Sequence, residues 1–125
     1  MKKENKTMKA QITKLLKNKV VLITGGAGSV GSSLAKILLN YPVHSVRVFD
    51  NNEHALFKLS HSLDDPRIEP LLGDILDKDR IELALLGSDI IIHTAALKNI
   101  EITEYNPIEA INVNVNGTIN LIKSV

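Results

Sequence analysis

Four glycines lie in the stretch Thr24-Gly25-Gly26-Ala27-Gly28-Ser29-Val30-Gly31, directly after the apolar run Val20-Val21-Leu22-Ile23. Glycines between a strand and a helix suit one kind of chemistry. Where side chains are absent the backbone can approach a pyrophosphate, and a helix beginning near Ser29 points its unpaired N–H groups at the anion. Two registers fit these residues. Gly26, Gly28 and Gly31 spell G-x-G-x-x-G, whereas Gly25, Gly28 and Gly31 spell the wider G-x-x-G-x-x-G. A glycine turn with no ligand is the plain alternative, and the strand before it and helix after it argue against that. A Cβ at Gly28 would obstruct the ligand's approach, and would also threaten the fold if the backbone there needs positive φ.

Further polar and small residues stand where other strands should end. Asp50 follows the run Val46-Arg47-Val48-Phe49 and lies nineteen positions beyond Gly31. A carboxylate there accepts hydrogen bonds from both hydroxyls of an adenosine ribose and repels a 2′-phosphate. Asn51, Asn52 and Glu53 come next, and no cation follows until Lys58, so NAD is expected over NADP. Gly73-Asp74-Ile75 ends a third run, with Asp74 able to accept from an adenine amino group and Asp77 free to cap the next helix. His93-Thr94-Ala95-Ala96 ends the fourth, where small residues let a cofactor lie against the backbone. His93 itself reads as a satisfied structural histidine. No cluster of His, Cys and Asp suggests a metal.

Positioning these strand ends on one edge requires a particular architecture. At 125 residues there is room for one domain and one core, and with 44% hydrophobic but only 3% aromatic residues that core must be aliphatic. Strands are expected at 20–23, 46–49, 68–72 and 89–93. Between them Val30, Leu34, Ile37 and Leu38 recur at helical spacing, as do Leu56, Leu59 and Leu63, and less regularly Ile81, Leu83, Leu85 and Leu86. A last helix should start at Asn106-Pro107 and run towards Val125. Strict alternation implies right-handed crossovers, so the fold class is α/β, a Rossmann-type doubly wound parallel sheet of about four strands.

The charge is divided. Seven lysines against Glu4 give residues 1–19 a charge of +6, which leaves −5 for the rest of a chain whose net charge is +1. A basic arm can touch nucleic acid or an anionic membrane, but the simpler reading is a solvated leader over 1–18 in which Met8 to Leu16 form a short docking helix. Residues 19–125 are then the NAD(P)-binding domain. No apolar run approaches the ~18 residues of a membrane span, and there is no cysteine for disulfides or thiolate chemistry. A cytoplasmic protein with no nucleic-acid partner is expected.

At this point five ordered segments carry a resemblance. Thr24 ahead of the glycines, Gly73-Asp74-Ile75, His93-Thr94-Ala95-Ala96-Leu97-Lys98-Asn99, Glu104-Tyr105-Asn106-Pro107 and Asn114-Val115-Asn116-Gly117-Thr118 resemble the extended short-chain dehydrogenases. Within them the chain is similar to the polysaccharide-biosynthesis branch, the UDP-N-acetylhexosamine 4,6-dehydratases and related nucleotide-sugar epimerases. The resemblance covers Val20 to Val125. It implies the wider glycine register, with Gly26 variable. It implies that the glycines hold the pyrophosphate, Asp50 the ribose, Asp74 and Ile75 the adenine, and that Ala95 and Ala96 line the cofactor. Lys98 would face the nicotinamide ribose or the substrate, and Asn114 would support the active site. The expected cofactor-binding set is Thr24, Gly25, Gly28, Ser29, Val30, Gly31, Asp50, Asn51, Asn52, Asp74, Ile75, Ala95, Ala96, Lys98 and Asn114.

The same resemblance implies the parent chemistry and shows departures from it. NAD would take hydride from C4 of a nucleotide-linked sugar, a UDP-sugar by family, and water would leave across C5 and C6 before hydride returns; an epimerase returns it at C4 on the other face. Asn99 stands where the branch usually has His, and Asn51-Asn52 where NADP users have a Ser-Arg type pair. The family's catalytic Tyr with Lys four residues later is missing, since Tyr41 is followed at that distance by Ser45 and Tyr105 by Glu109. No catalytic residue is therefore assigned, and the chain is expected to be the amino-terminal half of an enzyme, incomplete at its carboxyl end and inactive alone. A non-catalytic NAD-binding or sensing module is the alternative. A homo-oligomer is expected, because Ile90-Ile91-Ile92 should lie near an open sheet edge and Ile108, Ile111, Val115, Ile119 and Ile122 line one helix.

Overall fold

Side chains alternate across a strand, so Val21 and Ile23 of β1 (Val20–Thr24) face one layer and Leu22 the other, and all three are fully buried. In the computed structural model, which describes residues 2–96 and 104–125, β1 is an inner strand with helices on both sides. Its neighbours are β2 (Ser45–Asp50), β3 (Ile68–Leu72) and β4 (Ile90–His93), in the order β3-β2-β1-β4, every pairing parallel. Thr24 pairs with Phe49 on one side and His93 on the other, so the three strand ends lie level. The sequence order reverses between β1 and β4, which is where a doubly wound sheet opens a crevice.

Each face of the sheet has its own core. On one face Leu16, Val21, Ile23, Ala35, Leu38, Val43, Val46, Val48 and Leu56 pack with α1 (Lys2–Leu16), α2 (Ser29–Leu38) and α3 (Glu53–Leu63). On the other, Leu22, Phe49, Ile75, Ile81, Ala84, Leu85 and Leu121 pack with α4 (Lys78–Leu85) and the carboxyl-terminal helix. The edge strands are less enclosed, and all four residues of β4 are only half-buried.

Several elements differ from their sequence expectations. The leader is helical from Lys2, well before Met8, and Ile12 and Leu16 seat it on the core. In α2 the buried stripe is Gly31, Ala35 and Leu38, leaving Val30 and Ile37 half exposed. In α4 the stripe is Ile81, Ala84 and Leu85, while Leu83 and Leu86 face solvent. Gly31 stands in the α2 stripe because that helix approaches the backbone of Gly25 and Gly26 closely. The last helix is not one helix: α5 (Pro107–Ile111) passes into a π-helical turn over Asn112–Gly117 and then into α6 (Thr118–Ser124). Turns of this kind concentrate at functional sites. Gly117 sits in it because a Cβ there would come 2.6 Å from Ile75 Cγ2.

Candidate cofactor-binding site

The strand ends of β1, β2 and β4 and the β3–α4 loop surround a cleft of about 310 Å³. Five separate segments contribute: Gly25 and Gly28 to Gly31 of the loop, Phe49 to Asn51, Gly73 to Ile75, Thr94 to Ala96, and Val113. Of the expected residues, Gly25, Gly28, Ser29, Val30, Gly31, Asp50, Asn51, Asp74, Ile75, Ala95 and Ala96 come together here.

The glycines do different work. Gly25 carries the positive φ, 64°, and a Cβ on it would lie 2.7 Å from Ala95 N, so the loop rests directly on the backbone following β4. Gly28 has φ −74° and ψ 179°, ordinary extended backbone, and its added Cβ would meet only Gly25 O, at 3.3 Å. That direction is open along the cleft. Gly31 is the tightest, with a Cβ 2.4 Å from Gly25 O and 2.6 Å from Gly26 Cα. Gly26, the x position of the wider register, is packed in this chain: a Cβ there would reach 2.5 Å from Val48 Cγ1, and its N–H donates to Phe49 O at 3.2 Å. Packing against β2 holds it.

The first turn of α2 is left open to an anion. Gly28 is its cap and supplies no side-chain bond, and no acidic residue stands in the first turn. Neighbouring helices are closed by their own residues: Asn52 Oδ1 accepts from Ala55 N–H at 3.0 Å and Asp77 Oδ1 from Arg80 N–H at 3.1 Å. Opposite that open turn stands Asp50, its two oxygens accepting from Ala27 N–H at 3.1 Å and Asn52 N–H at 3.0 Å. The carboxylate is thus held at the mouth by the glycine loop itself. Asp74 is fixed in the same manner by Leu76 N–H at 2.9 Å.

Three of the expected residues that the structure describes do not line the cleft. Thr24 is fully buried behind the loop, Asn52 is the cap of α3, and Asn114 is an exposed residue of the π turn. Lys98 lies outside the described residues. Conversely Phe49, Gly73, Thr94 and Val113 line the cleft without having been assigned. The first three were marked by their places at strand ends. Val113 carried no such mark: it stands neither at a strand end nor among the apolar positions read along the last helix.

His93 is satisfied on both ring nitrogens, by Thr24 Oγ1 at 2.6 Å and Thr118 Oγ1 at 2.9 Å. Burial holds its pKa below the ordinary 6.5. The unfolded chain therefore takes up this proton at a higher pH than the folded one, so the stabilisation is complete above 6.5 and is lost as pH falls through the lower folded value. Melting curves from about pH 7.5 to about pH 5.5 should show Tm falling, with a shallower dependence in His93→Gln. An equal slope in both proteins would remove His93 as the source. Among the described residues no group of acidic, histidine or cysteine side chains could hold a metal, and no helix is long and apolar enough to cross a membrane.

The chain is similar to known proteins in sequence and in fold. The family model described as "Polysaccharide biosynthesis protein" matches residues 21–125. An uncharacterized membrane protein of Methanocaldococcus jannaschii is 46% identical, with 90% of this chain and 34% of that protein covered. The inverting UDP-N-acetylglucosamine 4,6-dehydratase of Campylobacter jejuni is 37% identical, over 86% of this chain and 33% of the enzyme. A UDP-glucose 4-epimerase of Rickettsia bellii is 34% identical, over 86% and 33%. Among solved structures, the dTDP-glucose 4,6-dehydratase DesIV of Streptomyces venezuelae, with NAD and TYD bound, superposes with a TM-score of 0.74 at 30% identity, covering 84% of this chain and 35% of DesIV. The chain spans about a third of the length of the curated relatives it matches.

Proposed function

The chain belongs to the polysaccharide biosynthesis protein family, and from that premise we propose that it is the NAD-binding part of a nucleotide-sugar 4,6-dehydratase or 4-epimerase. The observation that carries this is the pairing of an open helix end at Gly28 with a carboxylate, Asp50, pinned across the same cleft. The residues fit the dinucleotide. The pyrophosphate would rest on the Gly28–Gly31 turn, the adenosine ribose on Asp50, and the adenine against Asp74 and Ile75, with Ala95, Ala96 and Val113 along the remaining wall. NAD when bound supplies a hydride acceptor for the sugar carbon. The protein's part is to orient it, to repel a 2′-phosphate through Asp50, and to keep the strand ends level. Residues 19–125 form this binding domain, and a UDP-sugar is the substrate class that the dehydratase and epimerase relatives support.

By itself the chain is expected to bind without turnover, since neither Tyr41 nor Tyr105 has a lysine four positions on. Self-association belongs to the same reading. Ile108, Ile111, Val115, Ile119 and Ile122 are 41–69% exposed on the last helix, and β4 is a sheet edge among the described residues. Calorimetric titration with NAD and NADP tests the cofactor, and light scattering on the same sample tests association. The expected result is binding of NAD, tighter than NADP, to an oligomer. Tighter NADP binding, or no NAD binding by a chain that is folded by circular dichroism, would defeat the cofactor reading; a monodisperse monomer would defeat the association.

A further inference from the structure

The imidazole of His93 stands at the end of β4 with a threonine hydroxyl on each side, and the outer bonds of those hydroxyls assign the inner ones. Thr24 Oγ1 accepts from Thr94 N–H at 3.2 Å and Ala95 N–H at 3.4 Å, so its own proton is directed to His93 Nδ1 at 2.6 Å. Thr118 Oγ1 donates to the Asn114 carbonyl at 2.8 Å, so it accepts from His93 Nε2 at 2.9 Å. Both ends independently require the Nε2–H tautomer. The bonds run one way, from the backbone after β4 through β1 and the ring to a carbonyl inside the π turn.

That turn is anchored a second time on the far side of the cleft. Asn120 Nδ2 donates to Ile75 O at 3.3 Å and Leu76 O at 3.2 Å, and Gly117 packs on the Ile75 side chain. Ile75 and Val113 both line the cleft. A π turn forgoes the regular helical bond pattern, so an external tie is what selects it over straight helix.

We propose that His93 is a positioning residue: as the Nε2–H tautomer it ties Thr118 and the π turn to the end of β1, and so sets where Val113 stands along the cofactor cleft. An Nδ1–H ring would leave the Thr24 proton without its acceptor and present a bare nitrogen to a hydroxyl already committed to Asn114. The proposal rests on the cofactor reading only for the ligand it names; tautomer and turn register are properties of the chain alone.

The test uses the ¹⁵N-labelled 125-residue chain without ligand, as wild type, Thr118→Val and Thr118→Ser. Long-range ¹H–¹⁵N correlation identifies the His93 tautomer, and amide exchange follows residues 112–118. Wild type should show Nε2–H. Thr118→Val, in which Thr24 still donates to Nδ1, should keep the Nε2–H ring but exchange at least about fivefold faster in the turn, while Thr118→Ser restores the slow exchange. NAD affinity should follow, falling about threefold or more in the valine variant and recovering with serine. An Nδ1–H ring in wild type, or a folded valine variant whose turn exchanges no faster than wild type, overturns the proposal. Should Thr118→Val fail to fold by circular dichroism, the wild-type tautomer and the serine variant decide. Should wild type bind no NAD, the cofactor reading falls, and the ligand-free measurements still decide this one.

Discussion

Gly31→Ala should lower the stability of the chain by about 2 kcal/mol or more, although alanine is the better helix former. Two effects oppose each other. Alanine in a helix gains about 1 kcal/mol over glycine, but here its Cβ would lie 2.4 Å from Gly25 O and 2.6 Å from Gly26 Cα. Overpacking of this kind costs about 3 kcal/mol or more where the neighbour cannot move. The neighbour is backbone and is tied on several sides. Gly25 O accepts from Gly28 N–H at 3.1 Å and from Thr94 Oγ1 at 3.3 Å, and Gly26 N–H is bonded to β2. Against a typical total of about 5–15 kcal/mol the loss is large. Urea denaturation followed by circular dichroism measures it. A variant as stable as wild type would mean that the loop yields, and that its contact with α2 is not what holds the cleft in shape.

Gly28→Val should separate binding from folding. Its backbone lies at φ −74° and ψ 179°, where a β-branched residue is comfortable, and the added Cβ needs only a few tenths of an ångström from Gly25 O at 3.3 Å. Stability is expected to change by no more than about 1 kcal/mol. The two methyl groups, however, would stand along the cleft where a pyrophosphate must approach the N–H groups of α2. NAD affinity should fall at least about tenfold, equivalent to about 1.4 kcal/mol. Calorimetry beside a circular dichroism spectrum reads both quantities. If affinity survives in the folded variant, the glycine turn is not the pyrophosphate cradle.

The contrast between these two glycines marks the boundary between local and tertiary information. Strand β1 was legible because a continuous aliphatic run reports burial on both faces, and β2 to β4 because each shorter apolar run closes on polar or glycine residues. The Asp77 cap and the start of α2 were legible because a cap bonds within three residues of itself. Asp50 was legible because one crossover separates successive strand ends in any such sheet. None of this depends on distant neighbours. Which glycine bears the positive φ does depend on them: Gly25 takes it because the loop must lie on Ala95, seventy residues away in the chain. Gly26 lost its freedom to Val48 for a similar reason.

The last helix shows the same limit from the other side. Its apolar spacing and its Asn-Pro start were local signals, and they predicted one straight helix. The π turn over Asn112–Gly117, and with it the presence of Val113 in the cleft, follows from ties to Ile75, 45 residues back, and to His93, 25 residues back. His93 was readable as a satisfied histidine because a lone histidine at the end of an apolar strand is more often structural than catalytic. Its tautomer was not, because a proton on one nitrogen rather than the other is set by the hydroxyls that face it. Those hydroxyls, on Thr24 and Thr118, are 69 and 25 positions away. Periodicity and capping depend on residues a few positions apart and so can be read along the chain. Close approach, register and proton placement depend on which surfaces meet, and only the packed sheet and helices bring those surfaces together.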